Sequence, residues 1–297
     1  MSEARAEFAE RMNRMMNEAS LALMVSVGHR TGLFDVMARM PAATSAEIAS
    51  RASLDERYVR EWLAAMASGR IVDYDRAART YALPADHAAA LTRSAGMDNL
   101  AAGTQFIGLL ARVEDQVVDC FTHGGGVPYS AFPRFTELMA ERSGAGYDAT
   151  LTDVVLPLVP GLTGRLRRGI DVADVGCGSG HALNLMAEAF PRSRFTGLDL
   201  SEAAIAAARE EAQRRGLGNV RFDRRDAARL GEDGGFDFIT TFDAVHDQAR
   251  PGLLLAGIAG ALCPGGVYLC VEGAASSELA ENLGHPRGPW LYTISCM

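Results

Sequence analysis

The chain has no lysine: apart from histidine, its 29 cationic side chains are all arginine. We read this as compositional bias of the coding genome, without chemical meaning. Cysteine is scarce. The five residues, Cys120, Cys177, Cys263, Cys270 and Cys296, form no C-x-x-C pair, and no histidine stands at zinc-ligand spacing. That pattern argues against a thiolate metal site and leaves reduced thiols as the expectation. No apolar run approaches the ~20 residues that span a bilayer, and the opening stretch MSEARAEFAE is charged where a secretory signal would be apolar. A cytoplasmic protein with no membrane partner is expected. Positive charge is in deficit too, at a net −8, which argues against binding nucleic acid by neutralising phosphates and favours a small-molecule partner.

With 297 residues, 48% of them hydrophobic and 22% charged, the composition is that of an ordinary globular protein with room for two units. Residues 1–95 read as the first. Apolar Leu23, Val27, Leu33, Phe34 and Met37 make a helical stripe that Gly28 and Gly32 interrupt. Thr44-Ser-Ala-Glu47 and Ser53-Leu-Asp-Glu56 are capping-box patterns that open helices over 45–52 and 54–68. Strands over 70–74 and 80–83 about a polar turn complete a winged-helix outline. Up to Arg93 the stretch holds twelve arginines and twelve acidic residues. Its second motif helix sets Asp55, Glu56 and Glu61 against Arg57 and Arg60, with Tyr58 and Trp62 in a packing register. A homodimer contact is therefore expected in preference to a DNA reader. Residues 96–160 read as a helical linker or cap, broken by Gly124-Gly-Gly-Val-Pro-Tyr129, which is either a connector or a loop closing over a ligand. Tyr129 and Phe132 are candidates for an apolar acceptor pocket.

From 161 to 297 short apolar runs alternate with helices, the pattern of a doubly wound α/β sheet. Strands are expected over 170–175, 194–198, 220–222, 236–242 and 267–271, with helices over 181–189, 202–215 and 252–262. The first strand runs into Gly176-Cys-Gly-Ser-Gly180 and straight into a helix, so a ligand can reach the backbone and meet open amides at the helix N-terminus. The next strand ends at Asp199, about 20 positions on, where a carboxylate can take both hydroxyls of a ribose. The third leads to Asp226 and Ala227, where a carboxylate can accept from an exocyclic amine. The dinucleotide pattern would require glycine where His181 stands, and Asp174 before the loop suits a cationic ammonium rather than a pyrophosphate. A methionyl group meets that description.

Asp174 to Gly180, Asp199, Asp226-Ala227 and Pro264-Gly-Gly266 resemble, as an ordered set, the motifs of Rossmann-like class I S-adenosylmethionine-dependent methyltransferases. With Arg57-Tyr-Val-Arg-Glu-Trp62, Gly124-Gly-Gly-Val-Pro-Tyr129 and Phe242-Asp-Ala-Val-His-Asp247, nearly the whole chain resembles a bacterial subfamily with a winged-helix-like N-terminal domain. The resemblance implies that Asp174 and Gly176, Cys177, Gly178 and Gly180 hold the methionyl end of S-adenosylmethionine. It also implies that Asp199 and Leu200 hold the ribose, that Asp226 and Ala227 hold the adenine, and that Phe242 closes the cleft. His246 resembles the base of small-molecule O-methyltransferases, with Asp247 able to orient it; His123, His181 and His285 are weaker candidates. The implied activity is methyl transfer to a small acceptor, most readily at oxygen, with no metal. Two alternatives stand beside it: a regulator that senses S-adenosylmethionine and binds DNA through the winged helix, and a nicotinamide-dependent oxidoreductase. Relatives continue past the fifth strand into a sixth and an antiparallel seventh, whereas this chain stops at Thr293-Ile-Ser-Cys-Met297, so a sheet lacking its last two strands is expected.

Overall fold

A computed structural model describes residues 2–226, 230, 235–248 and 250–297. The chain divides into two compact units, Met1–Leu138 with Tyr292–Met297, and Met139–Leu291.

The first unit opens with α1 (Glu3–Thr31), α2 (Leu33–Met37), α3 (Ser45–Ala52) and α4 (Glu56–Ser68). The two-stranded wing β1 (Asp73–Asp75) and β2 (Thr80–Ala82) follows, then α5 (Ala85–Leu91), α6 (Leu100–Ala111) and α7 (Glu114–His123). Gly28 does not interrupt α1. A Cβ there would lie 2.4 Å from the Trp62 ring, so its absence lets the indole pack against the helix and donate Nε1–H to the Met24 carbonyl at 2.8 Å. Trp62 is thus core, edge-on to Phe34 at 5.2 Å, whereas Tyr58 remains exposed. Thr44 and Glu47 form the expected capping box of α3. The second pattern does not form. Ser53 is the left-handed C-cap of α3, and Asp55 caps α4 by accepting from the Arg57 amide at 3.0 Å, because its shorter reach wins over Ser53. In the wing, Tyr74 stands opposite Tyr81, and Asp75 Oδ1 accepts from the Ala77 and Ala78 amides to close the turn.

Helix α8 (Phe135–Thr150) leads into the second unit, which continues as α9 (Leu162–Arg168), β3 (Asp171–Val175), α10 (His181–Ala189), β4 (Arg194–Asp199), α11 (Glu202–Arg214) and β5 (Val220–Arg224). Then come β6 (Phe236–Phe242), α12 (Pro251–Ala261), β7 (Leu262–Val271) and α13 (Leu279–Asn282); α14 (Gly288–Cys296) starts in this unit and ends in the first. The sheet order is β5-β4-β3-β6-β7, and every pairing is parallel. The expected doubly wound α/β architecture is what the chain adopts. Alternation along β3 sends Val172 to one buried cluster, with Phe195, Phe222 and Phe238, and Ala173 and Val175 to another, with Leu198 and Ile239. Strand β7 begins five residues earlier than expected. Pro264 lacks an amide and Gly265 has φ 79°, but at a sheet edge a register shift between Phe236 and Phe238 absorbs them.

Candidate functional site

Parallel strands end together, so the loops after β3, β4, β5, β6 and β7 gather at one edge of the sheet. The β3 loop turns sharply. Gly180, at φ 72°, has no room for a side chain: a Cβ would lie 2.5 Å from the Phe222 ring and 2.6 Å from Ala208. Gly178, at φ 54°, instead faces open space, with nothing within 4 Å of where a Cβ would be. Among the described residues no side chain caps α10, and open first-turn amides of this kind can bind an anionic or polar group.

Asp174 lies beneath this loop, buried. It accepts from the Thr240 hydroxyl at 2.8 Å and, among the described residues, makes no ion pair. Burial pushes its pKa up to about 7; the Asp199 charge adds to this and the Thr240 hydrogen bond opposes it. Burial, followed by the charges of Asp174 and Asp199, pushes the Cys177 thiol pKa upward. Asp199 closes β4. Its carboxylate accepts from the Gly178 amide at 2.9 Å and the Ser201 amide at 2.8 Å, tying the glycine loop to the neighbouring strand end. Leu200 beside it is exposed. The Arg225 amide donates to the Asp199 carbonyl at 2.9 Å, which carries the chain from β5 to exposed Asp226 at the same edge. Ala227 lies outside the described residues.

Phe242 ends β6 and packs against Tyr147 of α8, with ring centroids 5.2 Å apart. Burial, followed by the charges of Asp174 and Asp243, drives the Tyr147 hydroxyl pKa upward, so the tyrosine belongs to this edge. Sequence reasoning missed it, since nothing in α8 resembles a motif. His246 stands in the loop after β6. Its Nδ1 is hydrogen-bonded to Glu272, directly after β7, while Asp247 Oδ1 is 3.4 Å from Nε2. Glu272 also accepts from the Ala244 and Val245 amides at 3.2 and 2.8 Å, so one carboxylate fixes both loop and ring. Glu272 thus holds Nδ1, while Asp247 faces Nε2. Burial lowers the His246 pKa, but the Glu272 hydrogen bond and the charges of Asp247, Glu272 and Asp243 outweigh it and hold the ring above its ordinary value. With Nδ1–H directed at a carboxylate, Nε2 is the nitrogen left to accept a proton.

Tyr129 and Phe132 lie in the first unit, where Phe135 gathers them at 5.5 and 6.3 Å, together with Phe106. His123 is there as well, 2.9 Å from Asp119 on its own helix. His285 accepts from the Arg287 amide at 3.1 Å.

Residues 166–285 match a methyltransferase domain family, and residues 19–93 match the Rv2258c-like winged HTH domain. The chain is 32% identical over 115 residues to a trans-aconitate 2-methyltransferase of Acidovorax sp. (strain JS42), a stretch covering 39% of this chain and 40% of that protein. The chain thus matches less than half the length of this curated relative. Human N-acetylserotonin methyltransferase in complex with S-adenosylmethionine superposes with TM-score 0.70 at 17% identity, covering 100% of this chain and 87% of that one. A mitomycin 7-O-methyltransferase does so with TM-score 0.70 at 18% identity, covering 98% and 86%. Residues 166–285 thus form a methyltransferase domain on a Rossmann-like parallel sheet, the arrangement of class I S-adenosylmethionine-dependent methyltransferases. In this chain that domain follows the winged HTH domain matched by residues 19–93. Among the described residues, no helix is long and apolar enough to cross a membrane.

Proposed function

We propose that the protein is an enzyme that moves the methyl group of S-adenosylmethionine to an oxygen of a small metabolite, with His246 as the base. One observation carries this reading: an imidazole oriented by Glu272 stands on the same sheet edge as the buried carboxyl of Asp174. That carboxyl, the open space at Gly178 and the uncapped α10 amides suit an adenosyl ligand with a cationic methionyl end. When bound, the cofactor supplies an electrophilic methyl on a positive sulfur. Asp174 would neutralise the ammonium, and Gly176, Cys177, Gly178 and Gly180 would offer backbone contacts. Asp199 and Leu200 would take the ribose, Asp226 and Ala227 the adenine, and Phe242 with Tyr147 would exclude water. His246 Nε2 would withdraw the acceptor's proton, which turns a hydroxyl into a competent nucleophile.

We assign residues 1–95 to a dimerisation module, 96–160 to a cap and 161–297 to the catalytic domain, in a cytoplasmic homodimer without nucleic acid. Five free cysteines support that compartment. An apolar stripe on exposed α1, Phe8, Met12, Met15, Met16, Leu23 and Val27, supports self-association. The acidic residues of α4 weigh against the DNA-binding regulator. Replacing Phe8 and Met16 by glutamate is expected to leave a folded monomer by light scattering; an unchanged mass would rule out this face. For the reaction itself, methyl-labelled cofactor incubated with a panel of phenols, alcohols and carboxylic acids should yield a labelled ether or ester. Label appearing only in amines would contradict the oxygen assignment.

A further inference from the structure

His181, the first residue of α10, stands directly behind the glycine loop with only 20% of its side chain exposed. Its Nδ1 lies 2.7 Å from Glu211 Oε1 on α11, and its Nε2 lies 3.0 Å from Asp148 Oδ1 on α8. A cavity of about 370 Å³ opens beside it, lined also by Glu141 of α8 and Arg214 of α11. Arg215 donates to Glu211 at 2.9 Å and to Glu188 at 2.6 Å. Ionised carboxylates only accept, so both imidazole contacts are hydrogen bonds only when both ring nitrogens carry protons.

The two carboxylates are held unequally. Glu211 is 14% exposed, and although burial raises its pKa, hydrogen bonds from His181 and Asn184 and the charges of His181 and Arg215 leave it below the usual range. Asp148, 57% exposed, sits at the rim. Asp148 adjoins Tyr147, whose ring packs against Phe242.

We propose that His181 is a positioning residue of the cofactor site: by bridging Asp148 and Glu211 it fastens α8 to the helices behind the glycine loop and holds Tyr147 against Phe242. This rests on reading that sheet edge as the S-adenosylmethionine site. It goes beyond that reading by giving the residue after the loop a task that no motif assigns to it.

The test is calorimetry with S-adenosylhomocysteine on the full chain, together with hydrogen exchange of the α8 amides, on wild type and variants at one pH. His181→Gln should bind about tenfold more weakly than wild type, as expected for the loss of one charge-assisted hydrogen bond, and its α8 amides should exchange faster. His181→Arg, always charged, with five N–H donors and the adjoining cavity to occupy, should restore binding to within about threefold. Equal affinity and equal exchange in wild type and His181→Gln, or no recovery in His181→Arg, would overturn the proposal. Should the Gln variant fail to fold, Asp148→Ala removes the same contact from the exposed side and should weaken binding as much. If the wild type itself binds no S-adenosylhomocysteine, the cofactor reading fails, while α8 exchange in the variants still reports on the bridge.

Discussion

Asp174→Asn will weaken S-adenosylhomocysteine binding by about 30- to 100-fold, the worth of a buried charge-assisted contact, and will also make the protein more stable near pH 8. Both effects follow from one buried carboxyl whose pKa burial lifts to about 7. In the unfolded chain the same group ionises near its ordinary value of about 4, so between about pH 4 and pH 7 the native state binds a proton that the unfolded state has lost. Stability must therefore fall as pH rises through that window and level off above it. The stored cost is roughly 4 kcal/mol at most. Asparagine keeps an oxygen for the Thr240 hydroxyl, carries no charge and abolishes the slope. Urea unfolding of both proteins from about pH 5 to pH 8, with calorimetry in parallel, checks the pair of effects. A variant as pH-dependent as the wild type would show that the slope arises elsewhere.

His246→Ala should lower the methylation rate by about 10²- to 10⁴-fold, the usual worth of a positioned base, and leave S-adenosylhomocysteine affinity unchanged. The pH dependence separates this role from simple packing. The neutral ring is the active form and Glu272 holds its pKa above the ordinary value, so the rate should rise with pH through that raised pKa. Glu272→Gln removes the anion and should move the rising limb to lower pH while reducing the plateau. A rate insensitive to His246→Ala would leave alignment alone as the source of catalysis.

Much of this site could be read from the residues because its determinants are local. The glycine loop, the strand ahead of it and the helix behind it lie within one short stretch, and α10 begins at His181 where the pattern places it. The apolar runs of β3, β4 and β6 mark a buried parallel sheet. What escaped is non-local. Glu272 lies 26 residues beyond His246, and only the parallel pairing of β6 with β7, which sets Phe242 opposite Val271, brings the two together. Tyr147 sits on a helix with no motif. Along the first half of α1, Phe8, Met12, Met15 and Met16 are exposed, so they mark no core face. The Ser53 pattern misled because Asp55, nearer the helix, competes for the same amides.

The most direct test of the central claim is calorimetry with S-adenosylhomocysteine on the wild type and on Asp199→Ala. Asp199 ties the glycine loop to the end of β4 and stands at the ribose position, so the wild type should bind and the variant should lose about 100-fold or more in affinity, the combined worth of the ribose contact and the loop tie. Equal heats in the two proteins, or none in the wild type, would contradict recognition of an adenosyl sulfonium at this strand edge.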